Sequence, residues 1–171
     1  MKSVKLKRIV VSAIIAAAYA GLTYISAAFG IAYGPIQFRI SEALTILPLF
    51  TPVAIPGLTV GCFLANIMSY NPIDLVFGTT ATLIACVATY YLRNVKIKGF
   101  PFLSFLSPII VNAVIVGFEI AFFFVETDAV LLTFLVSALQ VALGESVVLF
   151  LLGTPFYYTL SSHKKELSKW I

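Results

Sequence analysis

Long uncharged stretches alternate with short polar segments along this chain. A helix needs about 20 apolar residues to cross the hydrocarbon core of a bilayer. Stretches of this kind, bounded by charged residues, Pro or Gly, predict six membrane spans at residues 9–29, 40–51, 56–69, 74–92, 101–125 and 130–153. Gly153 and Pro155 are expected to end the sixth span. The pattern therefore predicts an all-α integral membrane protein whose residues 1–171 form a single membrane domain.

The second and third spans lie in a region rich in proline. Residues 43–73 contain no charged side chain, but Pro48, Pro52 and Pro56 interrupt them at intervals of four. Because Pro breaks or kinks a helix, we expect two short helices joined by a turn here. Such breaks within a membrane need neighbouring protein or a water-filled cavity to satisfy the freed backbone groups. Broken helices near a binding site are typical of transporters.

The composition agrees with a lipid environment. Hydrophobic residues make up 61% of the chain and charged residues only 11%, whereas about a quarter of a soluble domain is charged. The mean hydropathy is +1.06. Most of the apolar side chains must therefore face lipid or one another rather than water.

The net charge of +4 comes from basic residues that gather beside the predicted spans. The three clusters are Lys2, Lys5, Lys7 and Arg8; Arg93, Lys96 and Lys98; and Lys164, Lys165 and Lys169. Lys and Arg near span ends hold loops on the cytoplasmic side, so these clusters indicate a membrane orientation and no nucleic-acid partner. Six spans put all three clusters on one face. The chain is thus predicted to cross the cytoplasmic membrane several times with both termini inside.

Polar side chains within the spans are the candidate functional residues. Charge inside lipid costs about 3 kcal/mol per residue even on forgiving scales, so such residues usually line a site or pair with each other. The candidates are Arg39, Glu42, Asp74, Glu119 and Glu145, with the neutral Asn66, Asn112 and Gln140. Asn112 and Glu119 are seven residues apart and fall within about 20° on one helix face. They are therefore expected to line one cavity at two depths.

Structural roles compete with these functional ones. Asn112 and Gln140 could make hydrogen bonds that hold helices together. Arg39 and Glu42, three residues apart, could pair with each other at the rim of the bundle. Asp74 could be only an N-cap of the fourth span. For Glu119, its position as an acid within an apolar run favours a binding role over a structural one.

Small residues recur every four positions in the first span. Ala13, Ala17 and Gly21 form one row, and Ser12, Ala16 and Ala20 form a second. A flat strip of this kind lets another membrane helix approach closely, either within the bundle or from a partner protein.

Catalytic motifs are missing from the sequence. There is no H-E-x-x-H, no Ser or Cys nucleophile with a nearby His, and no P-loop. Cys62 and Cys86 lie in apolar runs and are interpreted as packing residues, so neither a metal nor another cofactor is expected. We predict that the protein is not an enzyme. Active transport would then need energy from another subunit or an ion gradient.

Several segments resemble the queuosine-precursor transporter family. Residues 37–45 read Q-F-R-I-S-E-A-L-T, residues 47–48 read L-P, residues 54–66 read A-I-P-G-L-T-V-G-C-F-L-A-N, and Asp74, Phe77-Gly78 and residues 81–83 continue the likeness. This family resembles the substrate-binding S component of energy-coupling factor (ECF) transporters. The resemblance implies six helices, a pocket open to the outside near the first loop, and a complex with a membrane coupling protein and two ATPase subunits. It also implies that Ala13, Ala17 and Gly21 meet the coupling protein.

The substrate implied by the resemblance is a 7-deazaguanine such as queuine, preQ1 or preQ0. Its guanine-type ring presents two adjacent N–H donors beside an acceptor oxygen, which suits one carboxylate and one amide or Arg. Aromatic side chains can stack on the ring. Glu119, Asn112, Gln140 and Arg39 could provide the polar contacts, with Tyr33, Phe38 or Tyr70 for stacking. An S component for riboflavin or thiamine, a stand-alone carrier and a membrane-embedded enzyme or scaffold remain as alternatives.

Overall fold

The computed structural model describes residues 2–33, 36–69, 71–126 and 128–163, and within them the secondary structure is helical. The helices are α1 (Lys2–Ala28), a 3₁₀ helix (Ile40–Leu49), α2 (Ala54–Ile67), α3 (Pro72–Leu92), α4 (Phe102–Glu119), α5 (Val130–Val148) and α6 (Thr154–Ser162). A π-helical segment, Ile120–Phe124, extends α4, and another, Leu149–Gly153, joins α5 to α6. The described residues form no β-strand beyond one isolated bridge between Ile97 and Phe100. The predicted all-α class is confirmed.

Among the described residues, four helical stretches are long and apolar enough to cross a bilayer: Val4–Ala28, Pro72–Leu92, Phe102–Phe124 and Val130–Ser162. Large apolar side chains remain exposed along them, as expected for surfaces that face lipid. The 3₁₀ helix has ten residues and α2 has 14, so each is about 20 Å long. Helices thus occupy all six predicted segments, and two of them are shorter than the hydrocarbon core is thick.

Gly153 and Pro155, which were expected to end the sixth span, do not end the helix. The helical path continues through the π-helical segment into α6 and ends at Ser162. The amide of Thr154 donates to the carbonyl of Leu149, five residues earlier. This wider turn changes the backbone just ahead of Pro155, which occupies the first turn of α6, where a proline is tolerated.

Close packing of α1 on α2 depends on two glycines. A Cβ atom on Gly57 would lie 2.6 Å from the carbonyl oxygen of Ser12, and one on Gly61 would lie 2.8 Å from that of Ala16. Backbone cannot yield to such contacts, so only glycine permits this approach. The row that contains Ser12 and Ala16 is therefore an internal packing surface.

The 3₁₀ helix lies at the centre of the bundle, where it packs against α1, α2, α3, α4 and α5. Six of its ten residues are buried, including Glu42 and Thr45. Ile46 joins Phe105 and Leu149 in one apolar cluster. The N-terminal end of the 3₁₀ helix consequently brings the polar segment around Arg39 into the bundle.

Candidate functional site

A cavity of about 490 Å³ opens at one end of the bundle. It is lined by Tyr33, Gln37, Ser69, Asn71, Asp74, Val116, Glu119, Ile120, Phe124, Val125, Ser137 and Gln140. Asp74 lies in the first turn of α3, and Arg93 caps the other end of this 21-residue helix. The helix is about 30 Å long. The cavity therefore lies at the end of the bundle opposite the basic loop that follows α3.

Glu119 is the last residue of α4 and has no exposed surface. Neither of its carboxylate oxygens has a hydrogen-bond partner among the described residues. Buried polar groups are nearly always hydrogen-bonded, and a bare carboxylate in the wall of a cavity indicates a place for a ligand. Glu119, the residue predicted to bind the ligand, therefore lines this cavity, called the large cavity below, and has two acceptors without a partner among the described residues.

Arg39 is buried beside the cavity and is held from several directions. Its Nε donates to the carbonyl of Ala32 at 3.2 Å, and its Nη1 donates to Oδ1 of Asn66 at 3.1 Å. Its Nη2 forms an ion pair with Oδ2 of Asp74 at 3.8 Å, and its guanidinium lies 5.0 Å from the centre of the Tyr33 ring. Burial alone would lower the pKa of Arg39, but Asp74 and other acidic groups outweigh it and raise that pKa. Arg39 is therefore a permanent positive charge.

Asn66 joins Arg39 to α3. Its Oδ1 accepts from Arg39, and its Nδ2 donates to the backbone carbonyl of Asp74 at 3.2 Å. A Cβ atom on Gly78 would overlap this amide. Asn66 therefore serves to position Arg39 and Asp74, and it is absent from the lining of the large cavity.

Two of the structural roles considered for charged residues are wrong. Arg39 makes its ion pair with Asp74 rather than with Glu42. Asn71 caps α3, since its side chain accepts from the amide of Ile73. Asp74 is consequently free of the capping role and contributes its carboxylate to both the ion pair and the cavity wall.

Glu42, Asn112 and Glu145 form a second polar group in the bundle. Glu42 accepts a hydrogen bond from the hydroxyl of Tyr19. Nδ2 of Asn112 donates to Oε1 of Glu145 at 3.1 Å. These three acidic and amide residues line a cavity of about 20 Å³ together with Arg39, which is room for about one water molecule.

The structure separates Asn112 from Glu119, although they were expected to line one cavity. Glu119 lines the large cavity and Asn112 the small one, and the two cavities have Gln37 and Val116 in common. Asn112 turns toward Glu145 because that carboxylate offers a hydrogen-bond acceptor on the facing helix. Asn112 therefore makes the hydrogen bond between helices that was considered as its structural role.

The predicted aromatic residues have different outcomes. Tyr33 lines the large cavity, and its hydroxyl donates to the carbonyl of Ala65 at 2.8 Å. Burial raises the pKa of that hydroxyl. Phe38 is not part of the cavity lining, and Tyr70 lies outside the described residues. Phe124 provides an aromatic wall that was not predicted.

Several polar residues of the cavity were missed, namely Gln37, Ser69, Asn71 and Ser137. Ser69 and Asn71 flank the turn between α2 and α3, where polar residues are expected in any loop. Gln37 reaches the site because its backbone packs against α5 at Gly144, where a Cβ would overlap its carbonyl oxygen. The Q-F-R-I-S-E-A-L-T segment was the one signal that could have pointed to Gln37.

Comparisons with known proteins agree with this arrangement. The queuosine precursor transporter QueT of Lactococcus lactis subsp. cremoris (strain MG1363) is 40% identical over 84 residues, which is 49% of this chain and 50% of that relative. The aligned part thus spans about half of each protein. No solved structure matches the chain. The family described as QueT transporter matches residues 9–162, which is most of the chain, and the protein therefore belongs to the QueT transporter family.

Proposed function

We propose that the protein is a membrane-embedded subunit that binds a queuosine precursor in the large cavity for uptake into the cell. The observation that carries the proposal is the buried, unpartnered carboxylate of Glu119 in the wall of that cavity. Membership of a transporter family supports transport rather than catalysis. The name of the Lactococcus relative supports a queuosine precursor as the cargo.

The cavity suits the chemistry of such a ring. One carboxylate can accept both adjacent N–H donors of a guanine-type edge, and this assigns Glu119 to the edge. The amide of Gln140, half-buried on α5, is available to donate to the ring oxygen. Tyr33 and Phe124 offer aromatic faces to the ring. A volume of about 490 Å³ falls within the usual range for small-molecule sites.

The proposed topology has six spans, with both termini and the loop of residues 93–98 in the cytoplasm. In it the two short helices also cross. The 3₁₀ helix packs against α1, α2, α3, α4 and α5, so neighbouring protein surrounds it. The supporting facts are the basic residues beside the spans and the position of the large cavity at the other end of α3 from Arg93. The cavity then opens to the outside.

Energy for uptake is proposed to come from an ECF-type complex with a membrane coupling protein and two ATPase subunits. The row Ala13, Ala17 and Gly21 is the proposed contact surface. Ala13 and Ala17 are exposed, and a Cβ on Gly21 would meet no atom within 4 Å. A helix of the coupling protein could therefore approach this row closely in the membrane.

Mass spectrometry of the ligand that co-purifies with the protein tests the proposed cargo. Cells supplied with queuine, preQ1 or preQ0 should give purified protein from which one of these compounds is released on denaturation. Glu119→Gln protein from the same cells should carry much less of it. Release of riboflavin or thiamine instead would contradict the proposal and support the alternative vitamin cargo.

A further inference from the structure

Two carboxyl groups, those of Asp74 and Glu119, line the large cavity. Neither Lys nor Arg is found among the described residues of its lining. Arg39 lies behind Asp74 and pairs with it at 3.8 Å. The described lining therefore presents acidic groups to a ligand, while Arg39 is absent from that lining and uses its other nitrogens to donate to Asn66 and Ala32.

The charges around this cavity do not balance when both acids are ionised. Arg39 offsets one of the two negative charges, and Glu119 has no partner in the described chain. An uncompensated charge in a buried site is costly. A guanine-type edge supplies hydrogen-bond donors to Glu119 but no net charge. A ligand that also carries a positive charge would remove the imbalance.

We infer that the cavity selects a 7-deazaguanine whose side chain carries a protonated amine over one whose side chain is uncharged. This inference rests on the proposed function and deepens it. Asp74 accepts hydrogen bonds from the amine, and Glu119 accepts those of the ring.

The depths of the two acids support this division of roles. Glu119 has no exposed surface and lies beside the apolar Val116 and Ile120, which suit a ring. The side chain of Asp74 keeps 12% of its surface exposed and lies with Ser69 near the turn that precedes α3. A ring that enters with its donor edge first would leave its amine-bearing side chain facing Asp74.

Two ligands with one ring and different side chains test the inference. Calorimetry on the purified protein would compare 7-aminomethyl-7-deazaguanine, which is a cation at neutral pH, with 7-cyano-7-deazaguanine, which is uncharged. We expect the amine to bind at least about tenfold more tightly, because a hydrogen bond between charged groups is stronger than one to a neutral group. Asp74→Asn should bring the two affinities close together, mainly by weakening the amine.

Matched variants separate this inference from the proposed function. Asp74→Glu keeps the charge and should keep the preference, and Asp128→Asn, an exposed acid outside the cavity, should change neither affinity. Binding of the cyano ligand by Asp74→Asn shows that this variant is folded. If the variant does not fold, the affinities of the wild-type protein for the two ligands still test the inference. Equal affinity of wild-type protein for both ligands would overturn the inference alone. Binding of neither these two ligands nor queuine would overturn the proposed function.

Discussion

At the scale of single residues, the most informative feature is a carboxylate that the protein leaves unsatisfied. Folding buries Glu119 completely and gives neither oxygen a partner among the described residues. Glu145 is also buried, but it accepts from Asn112. Since a buried acceptor without a donor is costly, the difference supports the proposal that Glu119 binds the ligand.

The prediction at this scale is that Glu119→Gln weakens binding of a 7-deazaguanine. The amide keeps the size of the side chain but faces a ligand donor with another donor. The lost hydrogen bond is worth about 1.5–3 kcal/mol, which is about a tenfold to hundredfold loss of affinity in calorimetry. Glu126→Gln, an exposed acid seven residues away, should bind as wild type. Unchanged affinity in Glu119→Gln would transfer the role to Asp74 or Glu145.

At the scale of elements, α1 has two rows of small residues with different surroundings. Ala16 is 6% exposed and packs where α2 approaches through Gly61. Ala17, the next residue, is exposed. Neighbouring positions on a helix differ by about 100° in direction, so one row can hold the bundle together while the other remains available to a partner.

The prediction at this scale compares Ala17→Leu with Ala16→Leu. Ala17→Leu should reduce uptake by cells and capture of the coupling protein, while ligand affinity and thermal stability of the purified protein stay near wild type. Ala16→Leu should instead lower the free energy of unfolding by about 1–3 kcal/mol, because a larger side chain at this buried position must displace its neighbours on α2. If Ala17→Leu also lost stability or ligand affinity, the outer row would be internal packing.

At the scale of the whole molecule, the proposed orientation relates the distribution of positive charge to the position of the cavity. Arg93, Lys96 and Lys98 follow α3, and the cavity opens beside the first turn of the same helix. A bundle oriented by its basic residues would present the cavity to the outside. The proposed capture subunit would need this arrangement, because its ligand would arrive from that side.

Labelling of engineered cysteines on intact cells tests this orientation. Asp128→Cys should react with a membrane-impermeant maleimide in intact cells, whereas Lys96→Cys should react only after permeabilisation. Both positions are exposed, and the native Cys62 and Cys86 are buried and should not label in the folded protein. Labelling of Asp128→Cys only after permeabilisation would contradict the six-span topology.

The sequence by itself determined the helical class, the positions of the helical segments and the list of polar residues worth attention. These properties follow from local composition, since a run of apolar residues can satisfy its backbone in lipid only as a helix. The continuation of the helix beyond Pro155 was not predicted, because π-helical turns such as the one that includes the buried Leu149 are rare. The QueT family was likewise evident from short segments.

Only the tertiary structure decided which polar residues meet. Arg39 pairs with Asp74, 35 positions away, instead of Glu42, three positions away, because the 3₁₀ helix turns Glu42 toward Tyr19 on α1. The tertiary structure likewise decided that Glu119 lines the large cavity and Asn112 the small one. Spacing along one helix gives the direction of a side chain, whereas its partners depend on how neighbouring helices are rotated and how closely glycines let them approach.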